Sequence, residues 1–199
     1  MRVAIGLKAR TGRAILVAIG GDVERPHFVE RAVLPLLPEG AFAPYHAAEN
    51  LAPERARASV QKDVAAAHRL AASGLRDALR RLTKPGVEVA GCGVLVGPAL
   101  PDWTTEEIVA VHVRMHQAEG VLFREVLVTG ARACEFEPVE IPEKTAIASA
   151  AQRLGLRRPQ LDARIAALGK SAGAPWGKDQ KEAAAAALAA LRSSSSSSR

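Results

Sequence analysis

Aromatic side chains are scarce in this sequence of 199 residues, and long hydrophobic runs are missing. Phe, Trp and Tyr make up 4% of the chain, whereas hydrophobic residues together make up 48%. The core must therefore be built mainly from Ala, Val and Leu. No apolar stretch approaches the roughly 20 residues that a transmembrane helix needs, and no signal-peptide pattern precedes the first predicted strand. We therefore expect a cytoplasmic protein with no membrane partner.

Cysteine is equally rare, since the chain contains only Cys92 and Cys134. Neither residue lies in a CxxC motif, and neither has a histidine close to it in sequence. Both are surrounded by apolar residues, so we expect two buried, reduced thiols.

The net charge of +6 is distributed unevenly along the chain. Residues 53–84 contain eight Lys or Arg against three acids, and residues 152–199 contain nine against three. Residues 101–150 are acidic, with four basic residues against nine acids. A charge distribution of this kind would attract an anionic partner such as nucleic acid. A codon bias towards arginine is the alternative explanation, and it requires no partner.

The spacing of apolar residues predicts the element order β-β-β-α-β-α-β-α. The first two strands form a hairpin, because a short loop that contains Gly12 separates them. The fourth strand should be buried on both faces. The predicted strands are 2–9, 13–20, 28–36, 88–96 and 136–141. The predicted helices are 53–82, 104–133, 143–154, 159–168 and 179–191.

This order predicts an α/β fold with a mixed five-stranded sheet, right-handed crossovers and helices on both faces. We expect residues 1–192 to form a single domain whose C-terminal part, from about 143 to 192, is helical. The serine-rich residues 193–199 are expected to form a disordered tail.

Two sequence stretches, "IGLKARTGRAILVAI" and "DQKEAAAAALAAL", resemble the ribonuclease H-like superfamily, most nearly its Holliday-junction resolvase branch. The resemblance covers about residues 2–191 and implies the ribonuclease H-like fold. It also implies acids on the first strand, the fourth strand and the last helix, where nucleases of the superfamily hold two divalent ions. Here the first-strand position is Lys8 or Leu7, the fourth strand has only Glu88 at its start, and the last helix has Asp179. The usual two-metal mechanism is therefore not expected.

The hairpin offers an alternative use, because the related actin-like ATPases place phosphates against it. Lys8, Arg10 and Thr11 would supply two cations, a hydroxyl and turn amides to a phosphate. A solvated basic turn is the simpler interpretation of the same residues.

The stretch "VHVRMHQAEGVLFRE" places three polar side chains on one side of a helix. His112, His116 and Glu119 fall within about 60° of arc, on the stripe predicted to face inward. They are candidates for a metal site, a polar pocket without metal, or a hydrogen-bonded packing cluster. Arg124 lies further along the helix, where it would bind a phosphate or carboxylate or form a surface ion pair.

A predicted loop, "PYHAAEN", adds His46 and Glu49 as candidate ligand-binding residues. We predict a composite site in which these two residues join His116, Glu119 and Asp179, the last three as catalytic groups. Asp179 is also suited to cap the last helix, and Lys178 lies beside it.

Three functions remain open from the sequence. The first is an acid-depleted ribonuclease H-like domain that binds an anionic ligand, nucleic acid above all. The second is an enzyme with a rebuilt His/Glu/Asp site, a metal-dependent hydrolase or nuclease with a divalent ion as its cofactor. The third is a protein-interaction scaffold. The ligand, the metal and the oligomeric state are left open.

Overall fold

A central sheet of five strands organises the computed structural model, which describes residues 1–193. The predicted serine tail lies, apart from Ser193, outside these described residues. The strands are β1 (Arg2–Arg10), β2 (Arg13–Gly21), β3 (Pro26–Pro35), β4 (Glu88–Val96) and β5 (Val139–Pro142). The helices are α1 (Pro44–Ala48), α2 (Pro53–Leu82), α3 (Thr105–Val109), α4 (His112–Arg132), α5 (Ala146–Leu154), α6 (Arg158–Ala172) and α7 (Lys178–Ser193). A 3-10 turn, Glu143–Thr145, follows β5.

The strand order is β3-β2-β1-β4-β5, with β1 in the middle of the sheet. β1, β2 and β3 pair antiparallel, whereas β4 pairs parallel to β1 and β5 pairs parallel to β4. The carboxyl ends of β1, β4 and β5 therefore meet at one edge of the sheet. The predicted mixed five-stranded sheet is confirmed.

Helices cover both faces of the sheet, as the sequence predicts. The alternation of β1 separates the two faces: Ile5 and Leu7 pack with residues of α2 and α4. Ala4 and Gly6 face the opposite side, where α7 lies across the sheet and α5 and α6 pack beside it. Two helical layers thus enclose the strands.

Helix α7 lies unusually close to β1 and β4, because small residues face each other across the contact. A Cβ atom on Gly6 would lie 1.8 Å from the Ala183 carbonyl oxygen. A Cβ on Gly93 would lie 2.2 Å from the Ala186 carbonyl oxygen. This contact explains why the helix is alanine-rich, since its buried face has no room for larger side chains.

The predicted helix 104–133 is wrong in one respect, because the structure divides it into α3 and α4. Val111 adopts extended angles (φ −137°, ψ 111°) and interrupts the helical hydrogen bonds. The predicted start is confirmed: Thr104 and Glu107 form a capping box that begins α3. α3 therefore ends at Val109, and α4 begins as a separate helix at His112.

Several smaller predictions are also tested by the fold. The predicted strand 136–141 is shorter, since β5 begins only at Val139. β4 is fully buried in its second half, from Cys92 to Leu95. Both cysteines are free, with Cys92 buried and Cys134 half-buried. Among the described helices, none has both the length and the hydrophobicity to cross a membrane.

Candidate functional site

The end of β1 presents a buried lysine to three carboxylates. Lys8 is only 1% exposed, and its Nζ donates a short hydrogen bond to Glu182. The same nitrogen lies 3.2 Å from Glu143 Oε1 and 3.5 Å from Asp179 Oδ1. These partners come from two places in the chain, the turn after β5 and the first turns of α7. The ammonium therefore occupies the centre of an acidic group.

Two arginines complete this arrangement, which we call the ion-pair cluster: Lys8, Arg10, Arg124, Glu143, Asp179 and Glu182. Arg10 donates from Nε and Nη2 to the two carboxylate oxygens of Asp179, at 2.8 and 2.5 Å. Arg124 donates from Nε to Glu143 Oε2 at 2.8 Å and from Nη1 to the Gly120 carbonyl at 2.8 Å. Bidentate guanidinium–carboxylate pairs of this kind are geometrically specific.

The charges of the ion-pair cluster reinforce one another. The hydrogen bonds from Arg10 hold the pKa of Asp179 below its usual range. Burial alone would raise the pKa of Glu143, but Arg124 and Lys8 together lower it. Burial likewise opposes the charge of Lys8, yet hydrogen bonds to Glu182 and Glu143 leave its pKa raised. Asp179, Glu143 and Lys8 are therefore all charged at neutral pH.

This chemistry does not suit a divalent ion. A two-metal centre needs carboxylates that are free to bind the ions. Here Lys8 stands where the resemblance implies the first-strand acid, and its own ammonium neutralises the carboxylates around it. The residues of the ion-pair cluster thus do not fit the metal pair that the ribonuclease H-like nucleases use.

A small cavity of about 140 Å³ adjoins the ion-pair cluster. Arg10, Thr11 and Arg124 line it, and Thr11 is exposed at the hairpin turn. Of the three hairpin residues predicted to bind a phosphate, Arg10 and Thr11 line this cavity and Lys8 does not. The guanidinium groups of Arg10 and Arg124 already bind carboxylates. Lys178 is exposed and lies 3.8 Å from Glu182 Oε1.

A second polar group lies at the start of α4, and we call it the histidine group: His46, His112, His116 and Glu119. One ring nitrogen from each histidine lies within 4.8 Å of the other two. His112 Nε2 and His116 Nε2 are 3.0 Å apart. His46 Nδ1 lies 2.7 Å from Glu119 Oε1, and the same oxygen accepts from the His46 backbone N–H at 3.1 Å.

The structure corrects the expected orientation of this helix face. Glu119 is buried, with 2% exposure, but His112 and His116 are exposed. The buried residues of this part of α4, Met115 and Ala118, pack against Ile108 of α3 and Tyr45 of α1, whereas the rings of His112 and His116 are left uncovered. The three side chains therefore form a boundary between core and solvent, not an inward stripe.

The predicted composite site divides into these two groups. His46, His116 and Glu119 come together in the histidine group, whereas Asp179 binds Lys8 and Arg10 in the ion-pair cluster. Glu49 is exposed and follows α1 as its C-terminal cap residue. Asp179 is in the first turn of α7, as predicted for a residue at a helix start.

Sequence reasoning missed Glu143 and Glu182, which bind Lys8 together with Asp179. A signal for Glu182 was present, because it follows Asp179 by three residues and so shares its face of the helix. Glu143 directly follows Pro142, the last residue of β5, so it had to lie at the carboxyl edge of the parallel strands.

Comparison with known proteins agrees with the topology. No protein-family model matches the sequence, and none of the curated proteins matches it. The sheet order and the helical layers define an α/β protein of the ribonuclease H-like fold. The structure of T. thermophilus RuvC in complex with a Holliday junction substrate is similar, with a TM-score of 0.51 and 11% identity over 95% of this chain and 92% of that chain. A second structure of Thermus thermophilus RuvC gives a TM-score of 0.47 and 11% identity over 94% of this chain and 92% of that one.

Proposed function

We propose that this protein binds nucleic acid and does not cleave it by the two-metal mechanism. The observation that carries the proposal is a row of exposed basic residues along α2. The likeness to a nuclease fold indicates which nucleic acid to test first. The cations of the ion-pair cluster argue against its cleavage.

Four cations follow one another along α2 at intervals of seven residues, and we call them the basic stripe: Arg55, Lys62, Arg69 and Arg76. Seven residues correspond to a rise of about 10.5 Å and almost two full turns, so the four side chains lie on one side of the helix. All four are exposed. The core-facing residues of α2, among them Ala67 and Leu75, lie on the opposite side.

The basic stripe differs from the other cations of α2 in having no carboxylate partner. Arg57, Arg80 and Arg81 form ion pairs with Glu106, Asp77 and Glu30. Within residues 1–193, the four cations of the basic stripe form no ion pair. Cations that lack an internal counter-ion are available to neutralise phosphates and release their counter-ions.

The nature of the nucleic acid is suggested by the fold. RuvC of T. thermophilus, which shares it, was solved with a Holliday junction substrate. A four-way DNA junction is therefore the first probe to test, with duplex and single-stranded DNA and RNA as alternatives.

Loss of cleavage is the second part of the proposal, and it rests on Lys8. The cation that the superfamily's nucleases recruit from solution is replaced here by an ammonium group of the chain itself. We therefore expect no cleavage of a bound junction in the presence of Mg²⁺ or Mn²⁺, measured by gel electrophoresis under conditions of saturated binding.

Fluorescence anisotropy with a labelled junction at several salt concentrations tests the binding proposal. Each neutralised phosphate contributes about −0.9 to the slope of log affinity against log salt. Replacement of all four cations of the basic stripe by Gln should therefore weaken binding and reduce the slope by about 3–4.

A matched variant carries the same charge change outside the basic stripe, at the exposed residues Arg25, Lys84, Lys170 and Lys181. We expect a much smaller loss for this variant. Equal losses in the two variants would mean that net charge alone drives the binding. No binding of any of these nucleic acids by the wild-type protein at low salt would overturn the proposal.

A further inference from the structure

The histidine group contains a set of metal ligands that the ion-pair cluster does not provide. His112 and His116 lie one turn apart on α4, and His46 approaches them from α1. Their ring centroids are 4.6–5.1 Å apart, and a ring nitrogen from each lies within 4.8 Å of the others. Among the described residues, these three form the one His, Cys, Asp or Glu group of this kind.

Glu119 fixes the proton on His46. A carboxylate only accepts hydrogen bonds, so the 2.7 Å contact places the hydrogen of His46 on Nδ1. Its Nε2 then carries the free lone pair. A buried carboxylate that binds the far nitrogen of an imidazole is the usual support for a metal-ligating histidine.

His112 and His116 face each other through the same type of nitrogen, Nε2, at 3.0 Å. Two neutral imidazoles in this position form a hydrogen bond only if one of them carries its hydrogen on Nε2 and the other does not. A cation between them would instead accept both lone pairs. Two ligands of a tetrahedral Zn²⁺ at 2.0–2.1 Å are separated by about 3.3 Å, close to the distance observed.

We propose that His46, His112 and His116 bind a Zn²⁺ ion, with Glu119 as the residue that orients His46. Imidazole nitrogen favours zinc over the harder magnesium and calcium ions, which prefer oxygen ligands. Three protein ligands leave the fourth position open, and the exposure of His112 and His116 gives it access to solvent. The site therefore holds a zinc-bound water.

Apolar packing supports both helices that carry the ligands. Ala48 of α1 packs with Ala56 and Val60 of α2 in a small apolar cluster, and Tyr45 contacts it. Met115 of α4, between the two exposed histidines, is completely buried. Both ligand-bearing helices are therefore held in place by the core before any ion binds.

The experiment is equilibrium dialysis of tag-free, chelator-treated protein with micromolar Zn²⁺, together with the visible absorption of the Co²⁺ form. We expect one Zn²⁺ for each chain and the d–d bands of four-coordinate Co²⁺. Glu119→Gln should weaken binding by about 10–100-fold, the range typical of residues that support a ligand. His116→Ala and His112→Ala remove a ligand and should weaken it further.

His68→Ala is the matched control, because His68 lies on α2 and binds Thr129 instead of another histidine. This variant should keep both the stoichiometry and the Co²⁺ spectrum. The absence of zinc uptake by the wild-type chain overturns the proposal. Uptake that the His112→Ala/His116→Ala double variant retains in full also overturns it, because the metal then binds elsewhere. Thermal unfolding without metal checks that each variant is folded.

Discussion

The ion-pair cluster and the histidine group lie in the same fold but differ in burial and in how their polar side chains are paired. In the ion-pair cluster, three carboxylates meet three cations, and the central ammonium is only 1% exposed. In the histidine group, one ring nitrogen from each of three histidines lies within 4.8 Å of the other two, and two of the rings are exposed to solvent. The carboxylates of the first group are paired with cations of the chain itself, whereas the second group brings together three side chains of a type that binds metal ions. Acidic residues near a sheet edge thus do not identify a metal site until their internal partners are known.

The largest expected effect comes from removal of the central cation. Lys8→Met leaves the buried carboxylate of Glu182 without the ammonium that binds it, whereas Glu143 keeps its bond to Arg124. Breaking a buried ion pair in this way costs about 3–5 kcal/mol of the free energy of unfolding. Urea unfolding followed by circular dichroism measures it.

His116→Ala provides the contrast, since it truncates an exposed ring of the histidine group. In metal-free protein we expect a change within about 0.5 kcal/mol. Equal destabilisation by Lys8→Met and His116→Ala would contradict the distinction between a buried ion-pair cluster and a solvent-exposed histidine group.

A smaller effect is expected from Gly93→Ala, which acts on the ion-pair cluster from a distance. The added Cβ would lie 2.2 Å from the Ala186 carbonyl oxygen, so α7 must move. Overpacking of this type costs about 1–3 kcal/mol. The shift should weaken the ion-pair cluster, whose acids Asp179 and Glu182 lie on α7, and should leave zinc binding unchanged. Urea unfolding and zinc dialysis measure the two parts.

Gly74→Ala is its control, because a Cβ there meets the Leu34 side chain at an ordinary 3.7 Å. This substitution lies inside α2, where alanine favours the helix by about 1 kcal/mol over glycine. We therefore expect unchanged or increased stability. A loss as large as that of Gly93→Ala would show that the close approach of α7 is not the cause.

The smallest effect concerns acid unfolding. Arg10 lowers the pKa of Asp179, so the folded protein binds fewer protons at this group than the unfolded chain. The resulting stability is present above the unfolded value of about 3.9 and is lost as the pH falls through the lower folded value. Arg10→Gln should therefore reduce stability at pH 7 by up to about 1 kcal/mol, a limit set by the 44% exposure of Arg10.

The same variant should differ less from wild type as the pH falls from 7 through the lowered pKa of Asp179 in the folded protein, because the carboxylate then becomes protonated in both proteins. Urea unfolding across this pH range makes the comparison. Arg158→Gln, which breaks the exposed Arg158–Asp162 pair on α6, serves as the control and should show a smaller pH-dependent change. A constant difference at every pH would mean that Arg10 acts through packing and not through Asp179.

The sheet was predictable because apolar runs, a glycine-containing hairpin and alternating helices determine its order. The break at Val111 was not, because the sequence there contains neither Gly nor Pro to mark the end of a helix. The pairing of His112 with His116 followed from their spacing of four residues. Their third partner, His46, is 66 residues before His112 and is brought near only by the packing of α1.

The inward orientation of the two histidines was wrong for a related reason. A helical pattern gives the angle of a side chain but not how much of that helix face the neighbouring elements cover. The ion-pair cluster could not be predicted because its partners are distant in sequence. Lys8 was recognised as out of place, but Glu143 and Glu182 lie 135 and 174 residues further along the chain. Sequence reasoning found the unusual lysine and could not find what satisfies its charge.

The glycine–alanine contact determines the distance of α7 from β1 and β4. Backbone atoms of Ala183 and Ala186 rest directly on β1 and β4, so the height of the helix above the sheet cannot be adjusted by side chains. Glu182 directly precedes Ala183, so the distance between Glu182 and Lys8 depends on how closely α7 approaches the sheet. A design that replaces Lys8 by an acid would therefore start from carboxylates on α7 whose distance from β1 is determined by uncharged residues, glycine and alanine.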